Sequence, residues 1–131
     1  MLMVIMKRDG TLTKPPMAQA QANNYLKNLI TANRYASLSQ ALNDTFDGKG
    51  KATTREKPPK DYLFNGHPVL HASSGDGQQS VSLFFYESAG TITLFAMGAH
   101  QDLPKPKVRY KLVDYGQPQG EFQEDADIIL K

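Results

Sequence analysis

The chain has 131 residues, no cysteine and a formal net charge of +2 at pH 7. A chain of this length predicts a single domain over 1–131, because domains usually hold roughly 100 to 200 residues. The absence of cysteine excludes disulfides, thiolate nucleophiles and iron–sulfur centres. No apolar run approaches the roughly 18 residues that a membrane-spanning helix needs.

The first predicted element is a β-strand in the apolar segment Met1–Met6. Lys7 and Arg8 follow this segment, whereas the cations of a signal peptide precede its apolar region. The sequence therefore predicts no signal peptide and a cytoplasmic protein, or one delivered into a target cell. Asp9-Gly10 predicts a turn after the strand.

Two helices are predicted next, over about 16–32 and 37–47. Pro15-Pro16 suits the start of a helix, where the missing N–H has no intrahelical partner to lose. Apolar residues at helical spacing then define one face of each helix, and Ser37 is the predicted N-cap of the second. Together they predict a helical hairpin.

The segment from Gly48 to Lys60 lacks apolar periodicity and is rich in cations. We predict a mobile basic loop over about 48–60. The charge of the chain is unevenly divided, since residues 1–60 hold ten Lys and Arg against four Asp and Glu. Such a loop is either a solvated linker or an arm that closes over nucleic acid.

The second half predicts an antiparallel meander. Strands are expected over 68–73, 80–87 and 91–100, separated by the turn segments 74–77 and 88–90. Apolar residues on both faces make the second of these a central strand. A fourth strand is predicted over 105–113 and a short last one over 127–130. The predicted fold is α+β, with the N-terminal strand and helical hairpin packed on a four- to five-stranded, mostly antiparallel sheet.

Cations occupy alternate positions of the predicted fourth strand, at Lys105, Lys107, Arg109 and Lys111. Because alternate residues of a strand face the same side, they predict a positive row suited to a polyanion. The other interpretation is an edge strand protected from aggregation by its lysines and prolines. Tyr110, in this strand, and Tyr86, in the central one, are candidates for stacking on bases, although strand aromatics are more often core residues.

The chain has three histidines, His67, His71 and His100. We interpret His67 as a surface turn residue. Its HxxxH spacing with His71 does not predict a zinc site, because four residues of extended chain span roughly 13 Å. We therefore predict no metal and no cofactor. His71 and His100 are candidates for acid–base catalysis, since imidazole titrates near neutral pH, but a lone strand-end histidine is often structural.

The strand end Leu94-Phe95-Ala96-Met97-Gly98-Ala99-His100 and the cations after it complete the order strand, two helices, antiparallel meander. This arrangement resembles small bacterial ribonuclease toxins of the barnase, colicin ribonuclease and RelE-like group. The resemblance covers residues 1 to about 115. The chain departs from the RelE-like pattern because it has no Lys or Arg between Asp61 and His100.

The resemblance implies a metal-independent endoribonuclease toxin in which His100, His71 and Arg109 are catalytic. Lys105, Lys107 and Lys111 would bind the RNA. The departure from the RelE-like pattern favours free RNA such as tRNA over ribosome-bound RNA. The implied partners are RNA and a cognate antitoxin or immunity protein. The alternative is a non-catalytic module that binds nucleic acid or protein through strand 105–111.

Overall fold

The computed structural model describes residues 1–6, 11–52, 63–64, 66–76, 79–99, 109–112, 120–123 and 126–128, with side chains up to residue 98. The elements in chain order are β1 (Leu2–Ile5), α1 (Gln19–Lys27), α2 (Tyr35–Phe46), β2 (Lys51–Ala52), β3 (Leu63–Phe64), β4 (His67–Pro68), β5 (Leu70–Ser74), β6 (Val81–Ser88), β7 (Thr91–Ala99), β8 (Arg109–Leu112), β9 (Gly120–Gln123) and β10 (Ala126–Ile128). Within the described part of the chain, no helix is long and apolar enough to cross a membrane.

The fold is α+β, as the change in sequence periodicity predicted. Five strands lie side by side in the order β1-β7-β6-β5-β2, and β10 also pairs with β7. β1 is parallel to β7, whereas the other pairings in this sheet are antiparallel. The two helices pack on one face of the sheet, α2 against β5 and β6 and α1 against α2 and β1.

The meander strands β5, β6 and β7 confirm the predicted strands, and β6 is central as expected. The predicted turn between β6 and β7 is a two-residue loop in which Ala89 and Gly90 have φ values of 51° and 78°. Positive φ at both positions is typical of the type I′ turn, whose twist matches that of antiparallel strands.

Both helix starts differ from the prediction. Met17 exchanges two backbone hydrogen bonds with Met3, at 2.7 and 2.8 Å, so the chain is still extended beyond Pro15-Pro16. The first helix therefore begins at Gln19, after the Ala18 N–H donates to Gln21 Oε1 at 2.9 Å. The second begins at Tyr35, directly after a 3₁₀ turn. Ser37 consequently lies inside the helix and is buried, so its prediction as the N-cap is wrong.

Within the segment predicted as a mobile basic loop, 48–60, Lys51 and Ala52 form the edge strand β2. They pair with His71 and Leu70 of β5. Gly50 allows this approach, since a Cβ there would lie 2.5 Å from Phe85 Cζ. A two-residue strand produces no detectable alternation, which is why the sequence did not reveal it. Residues 53–60 lie outside the described residues.

The predicted fourth strand is present in part, but it does not continue the meander. Within the described residues, β8 pairs with β9 and not with β7. The edge of β7 opposite β6 is already occupied by β1 along residues 91–94 and by β10 along residues 97–99. β10 confirms a short last strand, beginning one residue before the predicted one. The predicted turn at Asp9-Gly10 lies outside the described residues.

Candidate functional site on the open face of the sheet

The two faces of the sheet differ in what covers them. The face toward the helices carries the main core, to which β6 contributes Val81, Leu83 and Phe85. The opposite face, which we call the open face because no described helix packs on it, carries Ser82, Phe84 and Tyr86. The alternation of β6 produces this division, because adjacent residues of a strand point to opposite sides. His71, the best described of the predicted catalytic residues, lies on the open face.

Cross-strand register places His71 in a row with Lys51, Phe84 and Ala96. Lys51 is paired with His71, His71 with Phe84, and Phe84 with Ala96. Directly paired residues project from the same face of a sheet, with Cβ atoms about 4.5–5.5 Å apart. The row therefore brings a cation and an imidazole together near the β2 edge, and ends at a small residue on β7.

The ring of His71 is half-buried and oriented by its neighbours. It stacks on Phe84 with ring centroids 6.2 Å apart and an interplanar angle of 29°. Burial lowers the pKa of His71 below 6.5; the charge of Lys51 acts in the same direction, whereas a hydrogen bond with the Lys51 backbone opposes them. At neutral pH the ring is accordingly uncharged, the form that accepts a proton.

The next row on the same face, two residues further along β5, consists of Ser73, Ser82 and Gly98. Ser73 is paired with Ser82, and Ser82 with Gly98. The Oγ atoms of the two serines are 2.8 Å apart, a hydrogen-bonding distance. Ser82 is 1% exposed, whereas Ser73 is exposed. The exposed Ser73 therefore lies two residues along β5 from His71, on the same face.

A β-bulge interrupts the alternation of β7. Strict alternation would place Ile92, Leu94, Ala96 and Gly98 on one face. Phe85 pairs with Leu94 but Phe84 pairs with Ala96, so Phe95 is an extra residue between them. Ile92 and Leu94 consequently pack toward the helices, while Ala96 and Gly98 share the face of His71. An inserted residue reverses the alternation and cannot be located by counting alone.

The other end of the open face is an aromatic cluster. Phe64 stacks on Phe95 with centroids 4.2 Å apart, and His67 stacks on Tyr86 at 4.7 Å with an interplanar angle of 4°. Tyr86 is only 8% exposed. Its ring therefore has a core role, the alternative left open by the sequence, rather than forming an accessible platform for bases. His67 is likewise not a bare turn residue, because its ring packs on Tyr86.

The remaining predicted site residues are described in part or not at all. His100, Lys105 and Lys107 lie outside the described residues. Arg109, Tyr110 and Lys111 belong to β8, where their backbones pair with Gln123, Phe122 and Glu121. Lys51 was not predicted from the sequence as a site residue. Its place in the basic segment 48–60 indicates contact with a polyanion, but its pairing with His71 depends on tertiary contacts.

Over the part of the chain that the structure describes, no group of three or more His, Asp or Glu side chains is placed to hold a metal ion. Comparisons with protein-family models, curated proteins and solved structures found no significant match to this chain. Its function therefore has to be inferred from the residues of the open face.

Proposed function

We propose that the chain is a metal-independent endoribonuclease whose site includes His71 on the open face. The chief support is that His71, whose imidazole is uncharged at neutral pH, is the cross-strand partner of Lys51. A proton acceptor that is neutral at pH 7 beside a cation suits the cleavage of a phosphodiester. In the sequence, His100 directly follows β7, the strand that contributes Ala96 and Gly98 to the same face.

The reaction that these groups suit is transphosphorylation. An imidazole removes the proton from a ribose 2′-hydroxyl, and the 2′-oxygen attacks the adjacent phosphorus. The bond between phosphorus and the 5′-oxygen breaks, a second acid protonates that oxygen, and a 2′,3′-cyclic phosphate forms. We assign the base to His71 and the acid to His100. Lys51 and Arg109 supply positive charge to the phosphate, with Lys105, Lys107 and Lys111 binding the flanking RNA.

The competing function is a binding module without catalysis. Its support is the packing of His71, because a ring stacked on Phe84 and hydrogen-bonded to the Lys51 backbone already has a structural role. In this function, Lys51 and the basic strand hold a polyanion and no bond is broken. When protein and RNA are mixed, the ribonuclease would yield cleaved RNA, whereas the binding module would leave the RNA bound and intact.

The deciding experiment incubates the purified protein with single-stranded RNA and with tRNA in EDTA. We expect cleavage that stops at 2′,3′-cyclic ends and spares a DNA strand of the same sequence. His71→Ala and His100→Ala should each slow cleavage by about 10²- to 10⁴-fold, the usual contribution of one acid–base group. His67→Ala is the matched control and should cleave at nearly the wild-type rate, provided that it remains folded.

Intact RNA after incubation with the folded wild-type protein would eliminate the ribonuclease and leave the binding module. A rate abolished by EDTA would eliminate the metal-independent mechanism. The toxin interpretation adds a partner, an antitoxin or immunity protein. We expect expression of the wild type alone to arrest growth, and co-expression of the product of a neighbouring gene to restore it. Free growth without such a partner would count against a toxin.

A further inference from the structure

We infer that Ser73 binds a phosphate oxygen of the nucleic acid and that Ser82 orients its hydroxyl for this role. This inference rests on the proposed function, because it adds a contact to the same site. It names the group recognised, a backbone phosphate next to the bond that His71 would act on.

The hydroxyls of Ser73 and Ser82 share one hydrogen bond. Each hydroxyl has one O–H donor and can accept two hydrogen bonds. With Oγ atoms 2.8 Å apart, one hydroxyl donates to the other. Ser82 is 1% exposed, so its donor is best used on Ser73, and the donor of Ser73 then remains for a partner on the exposed side. A buried hydroxyl thus aligns an accessible one.

Ser73 shares the open face with His71 and Lys51. His71 lies two residues away on the same face of β5, a separation of roughly 7 Å between Cα atoms. Lys51 lies directly opposite His71. A cation, a neutral imidazole and an O–H donor therefore occupy neighbouring positions on one side of the sheet. Gly98 completes the Ser73 row without a side chain that would obstruct it.

The ligand class that suits these three groups is a phosphodiester. A phosphate group presents several oxygen acceptors, and hydrogen bonds to charged acceptors are stronger than those between neutral groups. A neutral imidazole and a hydroxyl offer no full charge of their own, so Lys51 provides the attraction and Ser73 the orientation. A phosphodiester satisfies all three groups at once.

The test measures binding of a fluorescein-labelled 2′-O-methyl RNA 10-mer, which cannot undergo transphosphorylation, by fluorescence anisotropy. Ser73→Ala should weaken binding about 10-fold, as expected for one hydrogen bond to a charged group. Ser73→Thr keeps the hydroxyl and should bind nearly as well as the wild type. Ser82→Ala leaves the Ser73 hydroxyl in place and should lose much less affinity than Ser73→Ala.

The double variant Ser73→Ala/Ser82→Ala separates binding from folding, because it leaves no unpartnered buried hydroxyl. We expect it to have a melting temperature near that of the wild type and to bind as weakly as Ser73→Ala. Wild-type affinity in this double variant would overturn the role of Ser73 but would not contradict the proposed ribonuclease function. If the wild type binds through Ser73 but leaves cleavable RNA intact, the phosphate-binding role of Ser73 would stand and the ribonuclease function would be excluded. A wild type that does not bind the 10-mer would overturn the inference as well.

Discussion

The helix-facing side of the sheet and its open face are built from the same strands but have different roles. Phe85 and Phe84 are adjacent in β6, and both are almost fully buried, at 0% and 2% exposure. Phe85 belongs to the main core beneath the helices, whereas Phe84 belongs to the smaller cluster on the open face and stacks on His71. The comparison indicates that one face holds the fold together and the other holds the candidate chemistry.

Truncating each phenylalanine in turn tests whether the two faces differ in this way. We expect Phe85→Ala to lower the free energy of unfolding by about 3–5 kcal/mol, the usual cost of removing a core phenylalanine. Phe84→Ala should be less destabilising, because its cluster is smaller, but should change the chemical shifts and pKa of His71. Urea unfolding and NMR titration measure the two effects. Equal stability losses without any change at His71 would contradict the division between the faces.

The approach of β2 to the sheet can be tested through Gly50. A Cβ at this position would lie 2.5 Å from Phe85 Cζ, so Gly50→Ala forces the edge segment or the ring to move. Overpacking of this kind typically destabilises a protein by about 1–3 kcal/mol. Amide hydrogen exchange should also quicken at Ala52.

The control for Gly50→Ala is Gly50→Ala combined with Phe85→Leu. If the clash with the ring is the cause, the loss in the double variant should be smaller than the sum of the single losses. Strictly additive losses would show that the ring does not limit the approach of β2.

The pH dependence of stability reports on the burial of His71 on the open face. The folded-state pKa of His71 is lowered, mainly by burial, so the folded protein binds this proton less readily than the unfolded chain does. The resulting stabilisation is fully present above pH 6.5, the unfolded value, and is lost as the pH falls through the lowered folded value. Urea unfolding of the wild type and His71→Gln at pH 7.5 and 5.5 should show the larger decrease in the wild type. Equal decreases would show that His71 titrates normally.

The smallest expected effect lies in the β6–β7 turn, away from both faces. Ala89 has a φ of 51°, a left-handed conformation that residues with a Cβ rarely adopt but asparagine tolerates. Ala89→Asn creates the Asn-Gly pair favoured in type I′ turns and should raise the free energy of unfolding by about 0.5–1 kcal/mol. Thermal unfolding measures the gain. Ser88→Asn, outside the two central turn positions, is the control and should change stability little.

Sequence patterns were sufficient for the elements whose signals are local. Period-2 alternation and turn residues located β5, β6 and β7, and helical spacing located both helices, although not their first residues. The start of the first helix could not be read from Pro15-Pro16, because it depends on the backbone pairing of Met17 with Met3, which are distant in the sequence. The second helix begins two residues before Ser37, directly after a 3₁₀ turn. The proposed roles of His71, His100 and Arg109 also came from the sequence and stay predictions.

Local sequence patterns were therefore enough to predict the fold class, the central position of β6 and the residue types available for chemistry, since alternation and helical spacing are properties of neighbouring residues. The tertiary structure alone decided which residues share a face. The extra residue at Phe95 moved Ala96 and Gly98 to the side of His71, and the edge strand β2 placed Lys51 opposite that histidine. The bulge and the edge strand both depend on hydrogen bonds between distant segments, so they cannot be predicted from residue spacing.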